Sequence, residues 1–257
     1  MPVSLGAQLY TLRKELTGSG TLPAIFEFLK KAGCEVVELA ALPPCVVPQR
    51  LAAISADTGV KICSTHSPFE RIRDGLDSLA DEHQVFDCSI IGIGSMPPEF
   101  NMGSPDDIKR FVDILNKTAD ALKSRGMSVM YHNHAFEFKK AGGKRVMDIL
   151  LENTVPDVAF SLDVYWAHVG GASAEEYIDK MGSRLKVMHL KDYKPALFGL
   201  RHTMGAPGDG VLDFRTYMQK ADARGVPYAV VEVDKTKDPR TAIERGIKFI
   251  KEIHKPQ

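Results

Sequence analysis

Eight short apolar segments recur through this chain, and each is followed by a stretch that is amphipathic at helical spacing. The segments are VSLGAQLY, CEVVELA, VKICSTHS, CSIIGIGS, SVMYHNHAF, VAFSLDVYW, LKVMHLKDY and YAVVEVD. They are rich in Val, Ile and Cys and apolar on both faces, as strands buried within a parallel sheet must be. Between them, LPAIFEFLKKAG sets Ile25, Phe28 and Leu29 on one helical face and closes at Gly33. PDDIKRFVDILNKTADALKSRG opens with Pro and two acids and ends basic before Gly126, in the sense the helix dipole favours, and PRTAIERGIKFIKEIH closes the chain as a final helix. An open doubly wound sheet more often has about five to seven strands. A count of eight favours closure, so the expected fold is α/β, a single (β/α)8 TIM barrel, as one domain over residues 1–257.

Composition narrows the class. With 33 basic and 33 acidic residues the formal net charge is zero, so the chain lacks the excess of Lys and Arg that a nucleic-acid enzyme uses to hold phosphates. Four cysteines without CxxC spacing argue against a disulfide framework or a cysteine zinc site, and reduced thiols fit a cytoplasmic setting. No run approaches the ~20 apolar residues of a bilayer span. The N-terminal MPVSLGAQLY lacks the basic and small-residue flanks of a signal peptide. The connection from Tyr193 to Leu212 is long for a compact domain and is expected to be an active-site loop over the barrel mouth.

In a barrel of this kind the active site forms at the C-terminal strand ends. Glu137, Asp163, His189 and Glu232 each follow several apolar residues, in the fifth to eighth strand segments. Two Glu, one Asp and one His make a mostly hard ligand set that suits Mn²⁺, Mg²⁺, Co²⁺ or Zn²⁺ in an open geometry. Any one of them alone reads equally well as an ordinary strand-end residue with a local hydrogen bond; four at equivalent ends point to one mononuclear metal site.

The order and spacing of several motifs carry a resemblance. QLYTLR (Gln8–Arg13), VVELA (Val36–Ala40), YHNHAFEF (Tyr131–Phe138), LDVYWAHVGG (Leu162–Gly171), HLKD (His189–Asp192) and VEVD (Val231–Asp234) together resemble the xylose isomerase-like sugar phosphate isomerase/epimerase superfamily. Within it the chain is similar to the keto-sugar epimerase and inosose dehydratase-like branches, over nearly its whole length. The resemblance implies that Glu137, Asp163, His189 and Glu232 bind one divalent metal ion, Mn foremost. It also implies an isomerase or epimerase of a keto sugar or related polyol, with proton abstraction beside a metal-chelated carbonyl through an enediolate. Glu137 and Glu232 are then the catalytic pair, one base and one acid on opposite faces of the sugar. An inosose dehydratase-like lyase shares the enediolate and is the near alternative. A non-catalytic sugar-binding barrel is the bland one, and an endonuclease IV-like three-zinc barrel lacks its further ligands and a basic track.

Other residues at the expected rim are candidate substrate contacts. His132 and His134 share one face of the fifth strand, with Asn133 opposite. His134 reads as a substrate contact or proton relay and His132 as its support, against plain hydrogen-bonded core histidines. Lys191 faces the side of His189 and could neutralise an enediolate oxygen; its competing role is a salt bridge. Trp166, the single tryptophan, is either a sugar-stacking wall or a core aromatic. Gln8, Glu38 and His66 end the first three strands and are hydroxyl-binding candidates, against simple rim capping. Arg201 and His202 read better as solvated loop residues, and His168 is open. The GIG at Gly92–Gly94 lacks a dinucleotide fingerprint and marks no nucleotide site. The expected partner is a small sugar, with no nucleic acid and no membrane, and a homo-oligomer is permitted but not demanded.

Overall fold

A computed structural model describes residues 2–254 with the exception of Leu200. Its centre is a closed barrel of eight parallel strands: β1 (Ser4–Gln8), β2 (Val36–Leu39), β3 (Lys61–His66), β4 (Ile90–Ile93), β5 (Ser128–His132), β6 (Ala159–Asp163), β7 (Leu185–Leu190) and β8 (Tyr228–Val231). Each pairs with the next in sequence, and β8 closes on β1 through Ser4↔Tyr228 to Ala7↔Val231. Where β1 meets β2 the backbones approach so closely that a Cβ on Gly6 would lie 1.8 Å from the Val36 carbonyl oxygen. All eight predicted strands are present, but each stops short of its predicted C-terminal end.

Helices return the chain between strands. The principal ones are α1 (Leu22–Lys31), α2 (Pro48–Thr58), α3 (Leu76–Val85), α4 (Pro105–Lys123), α5 (Val146–Asn153), α6 (Ala174–Met181), α7 (Phe214–Arg224) and α8 (Pro239–Ile253). Their starts are chemically marked. The Ser104 hydroxyl accepts from the Asp107 N–H ahead of Pro105, and Asp238 does the same for Thr241 ahead of Pro239. On α1 the predicted face is buried: Ile25, Phe28 and Leu29 are all 9% exposed or less.

Period-two alternation divides the strands into two cores. Outward residues such as Val37, Ile91, Val129, Tyr131, Phe160, Met188 and Val231 join the helices in one continuous apolar layer. Inward residues form a second cluster of Val36, Cys63, Ile90, Met130, Ala159, Val187 and Val230, one from each of β2 to β8. This ring plugs the barrel floor. Two residues further along β2, β5, β7 and β8 the inward side chain changes from apolar to ionisable, at Glu38, His132, His189 and Glu232, and the candidate site begins there.

The long connection after β7 differs from the expected irregular loop. It folds as an antiparallel hairpin, Asp192–Ala196 against Arg201–Gly205. The buried Asp192 carboxylate fastens its base, accepting N–H groups from Tyr193 (2.8 Å), Gly208 (3.0 Å), Gly210 (2.7 Å) and Leu212 (3.0 Å). One acidic side chain satisfying four amides is a compact substitute for a hydrophobic anchor.

Candidate active site

Alternation brings His132, Asp163, His189 and Glu232 to one height inside the barrel. Asp163 and His189 are direct register partners on β6 and β7, and Val230, two before Glu232, pairs with His189. One ligand-type atom from each of the four lies within 4.8 Å of the others, and all four residues are buried. Within the group His132 Nε2 has no aligned hydrogen bond and lies 3.5 Å from Asp163 Oδ2. Two imidazoles and two carboxylates converging in one buried layer fit the donor set of a divalent cation.

Glu137 lies outside this group. The chain leaves β5 after His132 and enters a single 3-10 turn, Phe136–Phe138, which breaks the strand alternation. The Glu137 carboxylate instead accepts from the Tyr131 hydroxyl and from the His134 N–H (2.8 Å). Tyr131 points outward against Phe111 of α4, and its oxygen also accepts from the Met96 N–H (3.1 Å). Burial pushes the Glu137 carboxyl up to about 7, and these hydrogen bonds resist that rise only in part. The cluster that could hold a cation therefore contains His132 where the expected set had Glu137, and consists of two His, one Asp and one Glu.

Beneath His189 lies a supporting network. Its Nδ1 is 2.8 Å from Glu232 Oε2 and its Nε2 is 2.6 Å from Glu38 Oε2. Glu38 is held in turn by Gln8 Nε2 (2.5 Å) and the Ser64 hydroxyl (2.6 Å). Gln8 and Glu38 are 0% exposed, so neither reaches the open mouth where a hydroxyl-binding role was expected. Burial alone would lower the His189 imidazole, but the flanking carboxylates of Glu38 and Glu232 outweigh it and raise it to about 10. A ligand histidine whose second ring nitrogen is held by a carboxylate is fixed in orientation and made more basic. Glu38→Gln is therefore expected to weaken cation binding by about 10- to 100-fold. Metal titration of the folded variant measures this, and unchanged affinity would show that Glu38 plays no orienting part.

Lys191 is buried at the centre of the layer. Its Nζ lies 2.9 Å from Asp163 Oδ2, 2.9 Å from Glu232 Oε2 and 3.0 Å from Asp234 Oδ1. Burial opposes its charge, yet Asp163, Glu232 and Asp234 reverse that and hold the ammonium well above its ordinary value. The same ammonium holds Asp163 and Glu232 below theirs against the desolvation that would raise them. Asp234 is pushed up to about 6, by burial first and by Glu232 second.

An aromatic wall stands over β5 and β6. Trp166 packs 5.0 Å from Tyr165 and 5.6 Å from His134, which stacks on Phe136 at 5.2 Å. Trp166 occupies the helical turn Val164–Val169, which Asp163 caps by accepting the Trp166 N–H (2.9 Å). Trp166 Nε1 and His134 Nδ1 are both buried without a partner. Burial first, then the charge of His132, lowers His134 to about 3, so its ring is neutral at pH 7. On the hairpin side His168 and His202 both pack on Tyr193, at 4.6 and 4.9 Å, while Arg201 is exposed. On the other side His66 stacks on His189 with ring centroids 5.5 Å apart. Sequence reasoning did not single out Ser64, Tyr131, Asn133 or Asp234. Asn133 clamps β6 by exchanging hydrogen bonds with the Asp163 backbone, at 3.0 and 3.3 Å.

A family model described as a xylose isomerase-like TIM barrel matches residues 26–253. Among curated relatives, an inosose dehydratase of Serratia proteamaculans is 27% identical over 169 residues, 58% of this chain and 56% of that protein. The match therefore spans little more than half the length of that relative. Among solved structures, a sugar phosphate isomerase/epimerase from Parabacteroides distasonis superposes with a TM-score of 0.81 at 24% identity, covering 97% of this chain and 94% of that one. The IolI protein, solved with a bound zinc atom, superposes with a TM-score of 0.74 at 14% identity, covering 98% of each chain. Among the described residues no helix is long and apolar enough to cross a membrane.

Proposed function

The chain belongs to the xylose isomerase-like TIM barrel family, and from that premise we propose that it is a divalent-metal-dependent isomerase or epimerase of a keto sugar or related polyol. The observation that carries this reading is the convergence of His132, Asp163, His189 and Glu232 in one buried layer at the strand ends. Two imidazoles and two carboxylates suit Zn²⁺, Mn²⁺ or Co²⁺, and the zinc carried by the related IolI structure agrees with that choice. When bound, the cation supplies the positive charge that polarises a carbonyl and its neighbouring hydroxyl and so acidifies the adjacent C–H.

The chain's own residues then divide the remaining work. Glu232, at 5% exposure, is the most accessible of the four and receives the proton from carbon. The Lys191 ammonium offsets charge that develops on the substrate oxygen. Neutral His134 and the Trp166 indole N–H, both unpartnered, hold substrate hydroxyls against the aromatic wall. A dehydratase reading is supported by the curated relatives. It uses the same proton removal, followed by departure of a β-hydroxyl that takes up a proton. A three-zinc nuclease reading is poorly supported, because the second ligand-like group, Glu38, His66 and His189, shares His189 with the first.

Elemental analysis of purified protein, followed by solvent-deuterium exchange into a panel of keto sugars, tests the proposal. The expected result is about one divalent cation per chain and label at one carbon next to the carbonyl. Label together with loss of water assigns the dehydratase. Failure to bind any divalent cation would sink the reading and leave a sugar-binding barrel.

A further inference from the structure

A cavity of about 680 Å³ opens beside the ligand group, between the segments that follow β2, β3 and β4. It is larger than a single sugar ring requires and within the usual range of small-molecule sites. Its wall is mostly apolar, including Leu42, Pro43, Val46, Leu51, Phe69 and Phe86. Apart from His66 and Ser95, the polar side chains that border it are already engaged. Thr65 Oγ1 lies 2.8 Å from His83 Nε2 and 2.9 Å from the Ser67 hydroxyl, and His83 Nδ1 is 2.7 Å from the Leu79 carbonyl. Arg71 and Glu82 form a bidentate pair at 2.9 Å. A second sugar unit would leave its hydroxyls short of partners here, whereas an apolar group would lose nothing.

His66 links this cavity to the chemistry. It lines the cavity, while its ring stacks on His189 and its Nε2 lies 3.5 Å from Glu38 Oε2. The GIG sequence, which marks no nucleotide site, makes room for that ring. A Cβ on Gly94 would come within 2.8 Å of His66 Nδ1, and one on Gly92 within 3.3 Å of its Cδ2. A side chain at Gly94 would push the imidazole from the place where it separates cavity from ligand layer, whereas one at Gly92 would meet the Thr65 carbonyl oxygen first, at 2.2 Å.

We propose that the substrate is a polyol or keto sugar carrying an apolar substituent, an aryl or branched alkyl group, which occupies this cavity while the polyol lies over the ligand layer. The proposal rests on the metal-site reading above and names the substrate class for that site. It is tested with two polyols that differ only in the appendage, methyl β-glucoside and phenyl β-glucoside, titrated by calorimetry into Mn²⁺-loaded protein. Phenyl β-glucoside is expected to bind at least about tenfold more tightly, the scale of burying one aromatic ring. Leu42→Trp and, independently, Ser67→Phe fill the cavity from its rim and should erase that advantage while leaving methyl β-glucoside unchanged. Chelation of the cation should weaken both glucosides. Equal affinity in the native protein, or a phenyl advantage that survives both filled variants, overturns the proposal. A phenyl advantage unaffected by chelation, or found in a protein that binds no cation, overturns the joint placement of appendage and polyol. Cation binding without any phenyl advantage removes the cavity assignment alone and leaves the metal reading standing.

Discussion

Lys191→Met should destabilise the metal-free protein by about 3–5 kcal/mol at pH 7, the range for leaving buried charge without its partner. The ammonium faces Asp163, Glu232 and Asp234 at 2.9–3.0 Å in a layer where Lys191 itself is 1% exposed. Methionine keeps the stem's bulk, so the loss is electrostatic more than steric. The sign of the pH dependence follows from the carboxylates. Asp163 and Glu232 are held below their ordinary values in the native protein. They therefore contribute stability above the unfolded carboxylate range and lose it as the pH falls through their depressed values. Without the ammonium, desolvation raises them, and stability in the variant should climb as the pH falls from 7 toward 5. Added Mn²⁺ or Zn²⁺ should restore more stability to the variant than to the native protein, because cation and ammonium answer the same oxygens. Denaturant titrations at pH 5 and 7, with and without cation, measure all three effects. A deficit that is flat in pH and indifferent to cation would mean that Lys191 is only a packed side chain.

The barrel was legible because its signal is repetitive. Eight apolar segments at helix-length spacing leave few topologies, and the ends of α1, α4 and α8 were written in Pro, acidic residues and Gly. Three of the four residues in the candidate cation cluster were legible for the same reason. Asp163, His189 and Glu232 each stand two or four residues beyond an inward apolar residue, Ala159, Val187 and Val230. The same count from Met130 arrives at His132, so alternation held the information that a search for carboxylates passed over. Glu137 falls outside the cluster because four residues separate it from the end of the strand, and it stands in a 3-10 turn that resets which way a side chain faces. The roles of Gln8 and Glu38 were not legible at all. A residue at a strand end is as well placed to brace a neighbour as to meet a substrate, and only the packing of β1, β2 and β7 around His189 decides between the two.

Glu232→Gln should slow proton exchange at least about 1,000-fold, since it removes both the assigned base and a ligand carboxylate. Glu137→Gln should slow it by no more than about tenfold, acting only through the backbone of His134. Its larger consequence is on stability. Burial raises the native Glu137 carboxyl from 4.5 to about 7. A raised acid contributes stability that is fully present below its unfolded value and is lost as the pH climbs through its folded one. For Glu137 that window runs from about 4.5 to 7 and spans about 3 kcal/mol. Glutamine cannot titrate, so the variant's stability profile should flatten across that window, and its deficit against the native protein should be greater at pH 5 than at pH 8. The two variants thus separate chemistry from architecture with the same atom exchange. Exchange lost in folded Glu137→Gln but retained in Glu232→Gln would return the proton transfer to Glu137, and with it the two-glutamate arrangement that the sequence motifs imply.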